Sequence, residues 1–339
     1  MEDVARACGV SLATVDRVLN RRKGVTTRMR DRVLRAAGEV GYLDAAAVGR
    51  LIAPPPPKIA FLLPSGGNAY LRLLAEKVKL AAATTMRNEA TIRCFFIESF
   101  DAAALAGALR KQAGWADGVA FMAIDHPLVR EAAQEAQARG VRLVTIVSDL
   151  SHATRAAYVG LDNRVAGRTA AYLISRFCKS GQGAVALVAG SRNYRTHAER
   201  EAGFLGLIEE RLPGLRVIGM REGHDDRNEN YRHTLDLIRR NRDLVGIYNV
   251  GGASDGIGRA LRETSQAGRI VFIGHGLTAD TRALLIEGVM DAVINSSPDE
   301  IIARALAHFT GRAEGQGSGV AALPVAMEIV FRENIPPAT

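Results

Sequence analysis

The chain has 339 residues, 47% hydrophobic and 24% charged, enough to bury cores in two or three domains. Its longest apolar runs, such as residues 58–64, fall short of the roughly 18 residues of a membrane span, and no charged-then-apolar leader opens it, so it reads as a soluble, cytoplasmic protein. Cys8, Cys94 and Cys178 are odd in number, widely separated and without histidine at ligand spacing, which argues against a disulfide framework or a metal site and for three reduced core thiols.

The formal charge of +8 is uneven. Residues 1–58 hold eleven Lys/Arg against six Asp/Glu, a surplus of five, and the other 281 residues carry the remaining three. A compact basic module ahead of a nearly neutral body suits a polyanion-binding head, although a solvated surface has the same composition. Residues 2–20 read as two short helices around a turn at Cys8, Gly9 and Val10, with Gly9 free to turn left-handed and Ser11 placed to cap the second helix. Val4, Ala5 and Cys8 face Val15, Val18 and Leu19, and a third helix over 26–42 adds Met29, Val33, Leu34 and Ala37 to a small core.

This is a helix-turn-helix whose second helix turns Leu12, Ala13, Asp16, Arg17 and Asn20 outward, the surface that a major groove meets. Arg17 matches guanine O6 and N7, Leu12 and Ala13 match thymine methyls, and Ser11, Thr14, Asn20, Thr26 and Arg28 suit phosphates. Asp16 either accepts from a cytosine amino group or orients Arg17. Met1 stands within the first helix with no capping residue before it, so a true start upstream is expected.

The run DVARACGVSLATVDRVLN, followed by VTTRMRDRV, AAGEVGY and a short Leu-containing segment, resembles the head of the LacI/GalR family of bacterial transcription regulators. That resemblance implies a hinge helix over 44–52, with Leu51 wedging into the minor groove at the centre of a palindromic site and Val48 beside it. Asp44 and Ala45 stand where the family usually has Pro-Asn, and Gly49 is a poor helix former, so a hinge only weakly helical off DNA is expected. The domain expectation is therefore a helix-turn-helix over 1–43, a hinge and stiff proline spacer over 44–57, and a body over 58–339.

In the body, short β-branched runs at 58–63, 92–98, 118–124, 142–148, 156–162, 184–190, 245–250 and 269–274 alternate with amphipathic helical stretches, the rhythm of parallel sheets covered by helices. The segments 158–174, with its DN-x-x-AG-x-x-A pattern, and 195–207, with Arg-x-x-Gly-Phe, carry the family resemblance onward. It implies a two-lobed α/β clamshell like periplasmic sugar-binding proteins, one lobe about 58–161 and 294–320, the other about 162–293 and 321–339.

Residues 249–261 spell a Gly-x-x-x-Gly-x-Gly turn like that of short-chain dehydrogenases. The turn follows a late strand, none of the seven tyrosines has Lys four positions on, and the next strand ends in His275 where a ribose-binding acid belongs. Nicotinamide chemistry is therefore disfavoured, and the glycines read as a tight turn at the cleft. No lipase-type Gly-x-Ser-x-Gly, phosphate-binding loop or zinc helix motif occurs, and neither cofactor, metal nor enzyme activity is expected. Capping accounts for Ser254 and Asp255.

Ligands in such folds sit at the carboxyl ends of strands. There the polar residues are Asn68, Tyr70, Asp125, His126, Ser148, Asp149, Arg200, Asn249, His275 and Ser296, a set able to hold a sugar or polyol, and the resemblance places matching positions in an effector pocket. Arg200 is the strongest candidate, with a helix-surface charge as its plain alternative; for Asp149 the alternative is an exposed turn. Asp162 and Asn163 read as a helix cap and an inter-lobe brace. The resulting expectation is a dimeric repressor whose two heads read a palindromic duplex and whose cleft takes a carbohydrate-like effector. A free sugar-binding module is opposed by the basic head. No trailing heptad helix suggests a C-terminal tetramer.

Overall fold

The computed structural model describes residues 1–20, 22–52, 55–86, 89–151, 157–311 and 321–337. The chain divides into two compact units, Met1–Pro56 and Pro57–Thr339.

The first unit is helical: α1 (Glu2–Cys8), α2 (Leu12–Leu19), α3 (Thr27–Glu39) and α4 (Ala45–Ile52). Gly9, at φ 63° and ψ 42°, ends α1, while Ser11 and Thr26 cap α2 and α3 by accepting from the backbone N–H of Thr14 and Met29. Val4, Cys8, Val15, Val18, Val33, Leu34, Ala36 and Ala37 form the buried core. Met29 stays outside that cluster, where a core position was expected, while Ala36, two turns further along α3, enters it. The expected hinge over 44–52 forms α4. Asp44, which replaces the family proline, caps α4 through the N–H of Ala47, and Leu51 and Ile52 lie half-buried against the head core. Val48 sits over Gly38, where an added Cβ would lie 2.9 Å from Val48 Cγ2. Ala53 and Pro54 of the expected spacer lie outside the described residues.

The second unit runs β1 (Lys58–Ser65), α5 (Ala69–Thr84), β2 (Thr91–Glu98), α6 (Ala102–Gln112), β3 (Gly118–Phe121), α7 (Pro127–Ala138), β4 (Arg142–Ile146), β5 (Ala157–Gly160), α8 (Asn163–Phe177), β6 (Gly183–Ala189) and α9 (Arg195–Arg211). It continues through β7 (Leu215–Glu222), α10 (Arg227–Arg240), β8 (Leu244–Asn249), α11 (Ser254–Glu263), β9 (Val271–His275), α12 (Ala279–Ile286), β10 (Ala292–Asn295), α13 (Pro298–Thr310), β11 (Ala321–Pro324) and β12 (Glu328–Val330). Two six-stranded sheets result, ordered β11-β5-β4-β3-β1-β2 and β12-β10-β9-β8-β6-β7. All pairings are parallel except β10 with β12. Both faces of each sheet are covered: along β1, Ile59, Phe61 and Leu63 enter one cluster while Ala60 and Leu62 enter another.

Strand order reverses at β1 in one sheet and at β6 in the other, opening a crevice at the strand ends of each lobe. Four strands, β7, β10, β11 and β12, were absent from the expected set. β7 is a half-exposed edge broken by Gly219 at φ 101°, and the other three span only three or four residues, too short for a periodic signal. Ala156, the first residue of the strand expected at 156–162, lies outside the described residues. The lobe handovers also differ. β10 completes the second sheet through Asn295 and β11 pairs with β5 of the first, so the last crossing falls between Pro324 and Glu328, not at 320. Trp115 rests half-buried on the first lobe with the Arg93 guanidinium 4.3 Å over its ring.

Helices α8 and α9 approach so closely that a Cβ on Gly167 would collide with the carbonyl of Arg200, and one on Gly203 with that of Arg164. Only glycine permits that contact, which sets the position of Arg200. Gly167→Ala should therefore lower unfolding stability by roughly 1–3 kcal/mol, the range for forced overpacking. Urea denaturation measures it, and an unchanged midpoint would mean that the two helices part freely.

Candidate functional site

On the head, Ser11, Leu12, Ala13, Arg17, Asn20, Thr26 and Arg28 are exposed and Thr14 and Asp16 half-exposed. Leu12 keeps 46% of its surface in water at the start of α2, an apolar side chain with no intramolecular purpose there. Asp16 accepts from Asn20 Nδ2 at 2.7 Å and from Arg22 Nη1 at 2.9 Å, so it orients those two side chains and not Arg17.

In the body a narrow cleft of about 50 Å³ lies between the lobes. Asn68, Tyr70, Arg200, His275 and Ser296, five of the residues expected there, line it. Leu71, Met122, Val147, Leu161, Val250 and Ile294 supply its apolar walls. Asn68 caps α5 and donates from Nδ2 to Asp225 Oδ2 at 2.9 Å across the lobes, and the Tyr70 hydroxyl meets Ser296 Oγ at 2.8 Å. Two further links, Asp125 N–H to the Asn193 carbonyl (3.1 Å) and Arg195 Nη1 to the Leu150 carbonyl (2.9 Å), close the lobes on each other.

Arg200 is buried, 8% exposed. Its Nε donates to Asn163 Oδ1 at 3.0 Å and Nη1 to the Val250 carbonyl at 2.7 Å, while Asn163 also takes the Thr196 hydroxyl. Asp162, not Asn163, caps α8. Burial draws the Arg200 pKa down and pushes the Tyr70 phenol up to about 12. His275 Nε2 lies 2.7 Å from the Tyr248 hydroxyl, and burial, with Arg200 and His197 nearby, holds its pKa well below the usual histidine value. His197 Nδ1 is 2.7 Å from the Ser191 carbonyl and 3.3 Å from the Ser191 N–H.

The other expected residues are placed elsewhere. Asp125 accepts from Arg130 (2.6 Å) and from the Ser151 hydroxyl and N–H; burial raises its pKa, but these bonds bring it down overall. His126 is exposed and caps α7. The Ser148 hydroxyl is buried in the first lobe without a hydrogen bond among the described residues, and Asp149 accepts from Thr145 at 2.6 Å. Asn249, fully buried, donates to Gly252 O and Ser254 Oγ and accepts from Gly251 N–H, which braces the turn that presents Val250 and Gly251 to the cleft. Ser254 and Asp255 do not cap α11: Ala253 occupies the N-cap at φ 52°, and Asp255 pairs with Arg227 at 2.7 Å.

Sequence reasoning missed Thr196, His197 and Asp225. Thr196 and His197 stand one turn before Arg200 on α9, a spacing of three and four residues that puts them on its face. Asp225 follows β7, the unexpected strand, and its Oδ1 accepts from Gly252 N–H at 2.6 Å. The glycine turn thus serves packing. A Cβ on Gly252 would fall 2.7 Å from Asn68 Nδ2, and one on Gly256 would strike the Arg227 carbonyl.

Burial pulls the His197 pKa down to about 4, with Asp225 opposing and Arg200 reinforcing the fall. The unfolded chain takes up a proton near pH 6.5 that the folded chain refuses, so stability is lost as pH drops from there toward about 4. His197→Gln should flatten that decline in urea denaturation between about pH 7 and pH 5. An equal slope in wild type and variant would place the ring in water.

Among the described residues no helix is long and apolar enough to cross a membrane. Residues 1–44 match the family described as bacterial regulatory proteins, lacI family, and residues 59–316 match the periplasmic binding protein domain. Catabolite control protein A of Streptococcus mutans is 36% identical over 76 residues, 22% of this chain and 23% of that protein's length. Among solved structures, a glucose-galactose binding protein of Geobacillus stearothermophilus superposes with a TM-score of 0.75 at 19% identity, covering 84% of this chain and 100% of its own. A transporter solute-binding protein of Burkholderia graminis in complex with D-arabinose gives 0.75 at 20% identity over 83% and 98%. At that identity the likeness concerns fold alone. A helix-turn-helix head matched over 1–44 and a two-lobed body matched over 59–316 place the chain in the lacI family of bacterial regulatory proteins.

Proposed function

We propose that this chain is a transcription regulator, a repressor that reads a palindromic duplex as a homodimer in the cytoplasm, and whose hold on DNA changes when a small carbohydrate-like effector fills the cleft. The observation that carries the reading is the outward face of α2, where Leu12, Ala13, Arg17 and Asn20 stand exposed on a rigid, capped helix. A guanine edge offers Arg17 two acceptors and a thymine methyl offers Leu12 an apolar partner, while Ser11, Thr14, Thr26 and Arg28 hold phosphates. One such head touches too few bases for specific affinity, which supports two heads on two half-sites. In that arrangement Leu51, with Val48 beside it, wedges into the minor groove between the half-sites.

Selection of bound sequences from a random duplex pool identifies the site. On that duplex, affinity should fall steeply with salt as counterions are released. Arg17→Ala should relax sequence preference, losing roughly 1–3 kcal/mol at one base position, whereas Arg28→Ala should weaken all duplexes alike. Equal loss of preference in both variants, or no selected sequence at all, would remove the assignment.

A methyl added at Gly49 meets nothing within 4 Å. Gly49→Ala spares roughly 0.8–1 kcal/mol of helix cost per subunit and should tighten the duplex complex by about tenfold or more. Unchanged affinity would mean that α4 is already as ordered off DNA as on it.

A further inference from the structure

Arg200 carries a charge that the protein does not neutralise. It is 8% exposed, and among the described residues it has no ion pair; its bonds go to the Asn163 side chain and the Val250 carbonyl, both uncharged. The hydroxyls of Tyr70, Tyr158 and Tyr248 lie nearby, and burial raises the pKa of all three, so they stay neutral. Among the described residues no carboxylate lines the cleft. Glu199, the neighbouring carboxylate whose charge acts on Arg200, is bonded to Arg195 at 2.7 Å, and Asp225 of the same lobe has one oxygen on Gly252 N–H and the other on Asn68. A buried cation left in this condition is costly, and a bound anion removes the cost.

The guanidinium is also free in the right place. Nε is engaged and Nη1 uses one of its two protons, which leaves the other Nη1 proton and both Nη2 protons without a partner among the described residues, on a side chain that lines the cleft. That edge matches the two oxygens of a carboxylate. His197 and His275 are held neutral by burial and by Arg200, so the cleft offers one positive charge, suited to a monoanion over a dianion. Asn68, Thr196 and Ser296 add directional groups for hydroxyls.

We propose that the effector is a sugar acid, a monosaccharide-sized polyol with one carboxylate bound end-on by Nη1 and Nη2 of Arg200. This rests on the reading of the cleft as the effector site. The probes are D-gluconate, D-galactonate, D-glucuronate and D-galacturonate, set against D-glucose and D-galactose and against glucose 6-phosphate and galactose 6-phosphate. Thermal shift and calorimetry on the full chain measure binding, and the selected duplex measures release.

At least one acid should bind about thirtyfold or more tighter than its neutral parent, the cost of leaving a buried charge unpaired. Arg200→Gln should bring the two within about threefold of each other by removing that term. The wild-type comparison stands by itself should the variant fail to fold. A neutral sugar that binds as tightly as its acid, a sugar phosphate tighter than every acid, or no response to any acid at millimolar concentration overturns the proposal. A neutral sugar that alters duplex affinity would do so while sustaining the regulator reading. An acid that binds without altering duplex affinity would instead keep the anion site and remove the effector reading.

Discussion

A guanidinium taken out of water keeps its favourable state only if protein groups replace the lost hydration, by hydrogen bonds first and by an opposite charge where one is within reach. In this chain Arg200 has its hydrogen bonds but, among the described residues, no ion pair. Asn163 and Val250 hold two edges of Arg200, and each is itself fixed: Asn163 by the Tyr158 and Thr196 hydroxyls, Val250 by the turn that Asn249 braces. The close passage of α8 and α9, possible because residues 167 and 203 have no side chain, sets the height at which the charge enters the cleft. Much of the second lobe's local geometry follows from holding one cation still.

Asp225 shows the complementary constraint. Its backbone sits in the left-handed region at φ 54°, next to His224 at φ 48°, a conformation that non-glycine residues adopt at a cost. The carboxylate is thereby aimed at Gly252 N–H and at Asn68 of the other lobe, and not at Arg200. The same strain recurs at Val147, a β-branched residue at φ 63° on the cleft wall. An acid that faced Arg200 would quench its charge internally and leave a ligand nothing to neutralise. Asp225 is thus engaged at the lobe contact, while Arg200 bonds to Asn163 and Val250.

How much of this was legible follows from what strand-end reasoning contains. Parallel strands place their carboxyl ends on one rim, so Asn68, Tyr70, His275 and Ser296 were found from position alone, and Arg200 from the Arg-x-x-Gly-Phe stretch. The rule does not say which way a loop side chain turns. Asp125 and His126 share a rim with the cleft residues but bend back onto α7, and Asn249 serves its own turn. The Gly-x-x-x-Gly-x-Gly stretch was ambiguous for the same reason: a glycine needed for a phosphate and a glycine needed for a neighbouring helix carry one signature. Position in the fold, and not the motif, decided between them.

An effector can shift this body only by the difference in free energy it finds between two arrangements of the lobes. The contacts that join the lobes here, Asn68 with Asp225, Asp125 with Asn193 and Arg195 with Leu150, are made by protein groups alone. They contribute equally whether the cleft is filled or empty. Apolar walls of Leu71, Val147 and Leu161 discriminate weakly between similar small molecules, because a methylene more or less is worth only about 1–3 kcal/mol. On the proposed reading, pairing the Arg200 guanidinium with a ligand carboxylate supplies the larger difference, because among the described residues no ion pair supplies it.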